Sequence, residues 1–188
     1  MDTYDFTYKF VDIPNWQQVA KEVEKRIPTN LYEIHGFLDV EPHVLLPAKG
    51  LIDLIKYFSP LNNLRQFAVV NLLPGQTVDD FPIHIDNIDY PVVLNIPVYN
   101  CDKVPTKFYK FKREIQLQSF QMYTENNREI INYQYCPPHL MEEIDSFCLS
   151  EPAFINNWIP HTAINLTDDR RTMFNIRFKR PIDPKFYT

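Results

Sequence analysis

Glycine is scarce in this 188-residue chain, which has 3 of them against 16 prolines. Turns and element ends therefore fall mainly to proline, which fixes φ and withholds a backbone donor wherever it stands. The 3 cysteines, Cys101, Cys136 and Cys148, are an odd number without C-x-x-C spacing. That count excludes a disulfide framework and a cysteine-built zinc knuckle, and leads us to expect reduced thiols in a cytoplasmic setting. Lys and Arg total 19 against 24 Asp and Glu, giving a formal net charge of −5, and no basic stripe offers a nucleic-acid footprint. No apolar run approaches the roughly 20 residues of a membrane span. The opening residues MDTYDFTYKFVDIPNW have neither the basic start nor the apolar stretch of a secretion signal. A soluble protein without nucleic-acid or membrane partners is expected. Internal repeats, low-complexity runs and linkers are missing too, so 1–188 is expected to form a single domain.

Hydrophobic residues make up 45% of the chain and aromatics 14%, from 14 Phe, 11 Tyr and 2 Trp. Such a composition favours strands and pockets over a helical bundle. Two amphipathic helices are expected first. Trp16, Val19, Ala20, Val23 and Ile27 share a helical face between Asn15 and Pro28; Leu51, Leu54, Ile55 and Phe58 share another between Pro47 and Ser59-Pro60. From Arg65 onward, short runs of Val, Ile, Phe and Tyr alternate with Pro, Asn and Asp, the pattern of many short antiparallel strands. Candidate strands are 66–73, 91–100, 106–112, 115–124, 129–133, 153–158, 161–166 and 171–179. A helical segment is expected over 138–148, where Pro137-Pro138 suits a helix start and Met141, Ile144 and Phe147 fall on one side. Helices followed by eight strands predict an α+β, mainly β fold. Its expected form is a double-stranded β-helix, a jelly-roll or cupin-like barrel with its core in 65–180 and helical support from 1–64.

The most informative spacing lies in Phe81-Pro82-Ile83-His84-Ile85-Asp86. Successive side chains of an extended segment point to opposite faces, so His84 and Asp86 share one and can hold a metal ion between them. A third ligand must come from elsewhere, and His161, in Ile159-Pro160-His161-Thr162, opens another expected strand. Two histidines and a carboxylate on one face of an octahedron leave positions open for O2 and a chelating acid. That is the ligand set of non-haem iron(II) oxygenases, with zinc and manganese as competitors. Beyond His161, a polar Thr167-Asp168-Asp169 turn reverses the chain and brings an arginine back beside the metal. A 2-oxoglutarate chelated through its keto acid end keeps a distal carboxylate, which a guanidinium can grip with two parallel charge-assisted hydrogen bonds. Arg171 is expected in that role rather than Arg170, because its strand face carries Asn175 and Arg177 inward while Phe174, Ile176 and Phe178 pack under the helices. His35 and His43 read as parts of a surface connection and His139 as part of the first turn of the 138–148 helix, all three structural or solvated. Asp79, Asp80 and Asp89 read as loop carboxylates, with Asp89 and the polar segment 87–90 placed to touch a substrate.

Taken together, these residues resemble the 2-oxoglutarate and Fe(II)-dependent oxygenase superfamily, in particular its aspartyl/asparaginyl β-hydroxylase-like and proline hydroxylase-like branch. The likeness spans 66–180 and rests on His84-Ile85-Asp86, on Pro160-His161 with Asn165 after it, and on Arg171 at 10 residues past the distal histidine. It implies Fe(II) as cofactor, 2-oxoglutarate and O2 as cosubstrates, and hydroxylation of an amino acid, a peptide side chain or another small metabolite. It also implies a cosubstrate contact from Asn95 in the strand Val93-Leu94-Asn95-Ile96-Pro97. Two positions depart from the pattern. Many relatives carry Ser or Thr two residues beyond the arginine, where this chain has Met173; Arg170 with Thr172 satisfies the pattern instead. The family's arginine before the Leu-x-Ile-Pro stretch is Val93 here, and the contact it makes in relatives goes with it. A competing reading is a non-catalytic cupin-like binding protein, with His84 and His161 lining the barrel or holding zinc. A metal-dependent hydrolase or isomerase ranks last, since no general base stands out beyond the ligands. Neither a substrate nor an oligomeric state is specified by the sequence.

Overall fold

The computed structural model describes residues 5–45, 47–86, 90–114, 116–123 and 129–187. Among them the N-terminal part holds β1 (Tyr8–Phe10), α1 (Trp16–Glu24), β2 (Gly36–Asp39), α2 (Pro42–Leu45) and α3 (Lys49–Phe58). The strands that follow are β3 (Leu64–Leu72), β4 (His84–Asp86), β5 (Val92–Tyr99), β6 (Pro105–Phe111), β7 (Gln118–Tyr123) and β8 (Glu129–Tyr135). The last four are β9 (Met141–Cys148), β10 (Ala153–Asn156), β11 (His161–Ala163) and β12 (Arg171–Phe178). They make two antiparallel 6-stranded sheets, one ordered β1-β10-β5-β12-β3-β2 and the other β7-β8-β4-β11-β6-β9. Val93, Ala153 and Ile155 of the first sheet pack against Phe108 and Phe147 of the second, so the sheets lie face to face. The mainly β expectation holds, but among the described residues no strand pairing closes the two sheets into one barrel.

The helices cover the outer face of the first sheet because strand alternation gives it an apolar surface. Ala20, Val23, Leu51, Leu54, Ile55 and Phe58 pack there against Phe67, Val69, Leu94, Ile96, Phe154, Phe174, Ile176 and Phe178. Full burial of each Val, Leu, Ile or Phe side chain among them contributes about 1.5–3 kcal/mol. Gly50 sits where α3 approaches α1: a Cβ there would stand 3.0 Å from Glu22 Oε2 and 3.2 Å from Val19 Cγ2. The intervening residues of β12, namely Arg171, Met173, Asn175 and Arg177, turn to the space between the sheets and line a cavity with Asn95 of β5. A sheet face carrying two arginines and two asparagines into the interior is a polar floor that bare packing does not explain. No helix among the described residues is long and apolar enough to cross a membrane.

Asn15 stands before α1 at φ 60°, and its carbonyl accepts from the N–H groups of Gln18 and Val19. Three expectations change. The segment 1–64 is not purely helical support, because β1 and β2 extend the two edges of the first sheet. Gly36 opens β2 at φ 106°, a conformation that a side chain strains. The 138–148 helix is instead a 3-10 turn, Pro138–Leu140, followed by β9. In the β6–β9 ladder Phe108 faces Asp145 and Tyr109 faces Glu143, which leaves Ile144 as an extra, bulged residue. Met141 and Phe147 are buried while Ile144 is 46% exposed, so a bulged edge strand imitates the three-residue spacing of a helix. The candidate strand 115–124 is β7 only over Gln118–Tyr123; residues 116 and 117 precede it as irregular chain, and residues 115 and 124 lie outside the described residues.

Candidate metal centre

β4 is only three residues long, yet both its edges are occupied. His84 and Asp86 pair with Tyr135 and Tyr133 of β8, and His84 faces His161 of β11 on the other side. Ile83 and Ile85 join an apolar cluster with Cys136 and Met141, which leaves the histidine and the carboxylate on the cavity face. The turn leading into β11 is tied down at three points. Asp86 N–H donates to Asn157 O at 3.1 Å, Asn157 N–H to Pro91 O at 2.9 Å, and Tyr109 N–H to Pro160 O at 2.8 Å.

Through these ties the three expected ligands meet. One ligand atom from each of His84, Asp86 and His161 lies within 4.8 Å of the others. The two imidazole centroids are 4.5 Å apart, and His84 Nε2 is 3.6 Å from Asp86 Oδ1. Each ring is oriented by its other nitrogen: His84 Nδ1 lies 2.7 Å from Pro82 O and His161 Nδ1 2.9 Å from Ile159 O. A carbonyl accepts only from N–H, so both rings carry their proton on Nδ1 and offer the Nε2 lone pair to the centre. Burial, reinforced by the neighbouring His84, pushes the His161 imidazole down to about 4, so it is neutral at physiological pH as a ligand must be. For Asp86, burial acts to raise the carboxyl, but Arg177, the two histidines and the Asn157 amide outweigh it and hold it below the usual carboxylate range. Two imidazoles turned to the centre through their Nδ1 anchors and an ionised carboxylate therefore fit a divalent ion of intermediate softness.

The cavity over this centre has a volume of about 520 Å³. Arg171 lines it while only 2% exposed; its Nη2 donates to Thr106 Oγ1 at 3.0 Å, and its buried Nε has no hydrogen-bond partner. No carboxylate among the described residues pairs with it. Arg170 points elsewhere, its guanidinium 5.3 Å from the Tyr32 ring centre and 5.2 Å from that of Tyr99. Asn95 also lines the cavity, and its Oδ1 accepts from Asn175 Nδ2 at 2.6 Å.

Two features go beyond the sequence reading. His35, in the connection before β2, also lines the cavity wall, its ring 6.1 Å from that of Phe81, which in turn stands 5.1 Å from His84. No periodicity marks it, because β2 is short and begins only at the next residue. Asn157 and Arg177 both donate to Oδ2 of Asp86, the latter at 2.7 Å. The inward face of β12 made Arg177 visible, but its partner lies 91 positions away and no local pattern names it. His43 and His139 are exposed, and Asp80 is a loop carboxylate held low by the Thr77 backbone N–H. Asp89 and positions 87–89 of the segment 87–90 lie outside the described residues.

In comparisons with known proteins, no family model matches the chain and no curated protein matches it.

Proposed function

We propose that this chain is a non-haem Fe(II) and 2-oxoglutarate-dependent dioxygenase that hydroxylates an amino acid, a peptide side chain or another small metabolite. One observation carries the reading: a single cavity gathers two imidazoles offering Nε2, an ionised carboxylate and, from the facing sheet, a buried guanidinium without a carboxylate partner among the described residues. His84, Asp86 and His161 are the residues that hold the iron, which with O2 and 2-oxoglutarate supplies oxidative decarboxylation coupled to hydroxylation of a C–H bond. Arg171 receives the distal carboxylate of the cosubstrate. Thr106 holds one Nη and so fixes the guanidinium beside the cavity, where its charge faces the place the cosubstrate carboxylate takes. Asn95 adds an amide on the same wall, and Phe37 and Phe81 give the cavity apolar sides that exclude water from the reacting atoms.

The fold we propose for this chemistry is a double-stranded β-helix. Its support is the way the chain alternates between the sheets: β3, β5, β10 and β12 lie in the first, β4, β6, β9 and β11 in the second. That order is what the winding of a jelly roll would give, with β6 and β9 adjacent in the second sheet and the β7–β8 hairpin inserted between them in the chain.

Anaerobic addition of 2-oxoglutarate to the Fe(II)-loaded protein is expected to produce the visible charge-transfer absorbance of an iron(II) keto acid chelate, and admitting air to yield succinate. Asp86→Ala removes both. Wild-type protein that binds Fe(II) yet gives neither absorbance nor succinate would refute the assignment.

A further inference from the structure

Arg177 has no part in the chemistry argued above, yet it makes the closest charged contact to the metal centre. Its Nη2 donates to Oδ2 of Asp86 at 2.7 Å, with the two side chains only 4% and 3% exposed. Nε donates to Asn175 Oδ1 at 2.9 Å, and Asn175 is held in turn by Asn95 across the β12–β5 ladder at 2.6 Å. The guanidinium carbon lies 4.6 Å from the centre of the Phe37 ring, so the group is fixed at its edge and on its face. Asn157 donates to the same Oδ2, whereas Oδ1 faces His84 Nε2. An oxygen that already accepts two hydrogen bonds, one of them charge-assisted, has little lone-pair capacity left for an ion.

We propose that Arg177 is a positioning residue: it confines Asp86 to ligation through Oδ1 alone and so keeps a place at the metal open for an anionic chelating ligand. This rests on the metal-centre reading above. Its charge acts in the same direction. A divalent ion with a single carboxylate and neutral imidazoles is already positive, and a buried guanidinium beside it favours anionic ligands while repelling the cation itself. Removing Arg177 therefore has opposite effects on the two binding steps. Asp86 gains a second oxygen to offer and loses a competing cation, so the metal is held as tightly or more tightly, while the chelating anion is held less tightly. A side chain that only filled space would weaken both together.

Co(II) is a suitable probe, since its visible absorption reports the number and kind of ligands. Wild type, Arg177→Met, Arg177→Gln and Arg177→Lys are titrated with Co(II), and the Co(II)-loaded proteins with 2-oxoglutarate and separately with oxalate. In Met and Gln variants Co(II) affinity is expected to be retained or increased, and both chelators to bind about 10-fold or more weakly than to wild type. Lys restores most of the chelator affinity. Glutamine, whose shorter amide falls short of Oδ2, carries the comparison if the methionine variant does not fold. Unchanged chelator affinity in the variants, or a parallel loss of Co(II) and chelator, overturns the proposal. Oxalate needs the metal but not Arg171, so wild type that takes up oxalate and refuses 2-oxoglutarate refutes the oxygenase reading while the Arg177 comparison is still decided on oxalate. Wild type that takes up no Co(II) overturns both.

Discussion

Acidifying the metal-free protein from pH 6.5 to pH 4 is expected to remove about 3 kcal/mol of stability through His161. The imidazole is held near 4 in the folded state against 6.5 for an unperturbed side chain, because burial and the neighbouring His84 disfavour its charged form. Between those values the unfolded chain binds a proton that the folded chain refuses, so stability rises with pH across the window. The contribution is complete above 6.5 and lost as pH falls to about 4. At about 1.4 kcal/mol per pH unit of separation the step is of order 3 kcal/mol, and full burial leaves little solvent to screen it. His84 and Asp86 share the same space, so the titration belongs to the cluster rather than to one ring. Urea unfolding of apoprotein, followed by fluorescence of Trp16 and Trp158 at several pH values, measures it directly. His161→Gln serves as the control that cannot take up the proton. Parallel stability profiles for wild type and this variant between 6.5 and 4 would refute the reasoning. Adding a divalent ion should steepen the wild-type profile, since ion and proton compete for Nε2.

Arg171→Ala is expected to weaken 2-oxoglutarate binding about 10- to 100-fold, from the loss of charge-assisted bonds of about 1.5–3 kcal/mol, with Co(II) uptake unchanged; calorimetric titration of the metal-loaded protein distinguishes the two effects. Phe174 is fully buried between the first sheet and its helices, and Phe174→Ala should cost about 3–5 kcal/mol in urea unfolding, with a loss below about 1 kcal/mol contradicting the packing described here.

The candidate ligands are legible in the sequence because they depend on the shortest-range rule available, the alternation of side chains in an extended segment. His84 and Asp86 share a face whatever the rest of the chain does. Alternation likewise separates Arg171, Asn175 and Arg177 from Phe174, Ile176 and Phe178, and the cavity and the helix-covered core receive them as that pattern requires. What escapes is long-range or irregular. The bulge at Ile144 breaks the alternation of β9 and leaves a helical spacing in its place. Strands β1 and β2, of 3 and 4 residues, are too short to show a period and form only because existing sheet edges pair with them. The bond from Arg177 to Asp86 joins opposite sheets, and its existence follows from how the layers stack rather than from any neighbouring residue.

The direct opposition of His84 and His161 in the β4–β11 ladder bears on how the molecule assembles. A chain that winds back and forth between two layers makes its contacts late, because distant segments must close large loops before any pairing forms. A slip of one residue between these two strands would turn a histidine away from its partner and leave no pair of imidazoles to capture an ion. On the metal-centre reading proposed above, cobalt colour in a refolding experiment is therefore expected to grow at the pace of strand docking, not of ion diffusion, and to mark the moment when the two layers come into register.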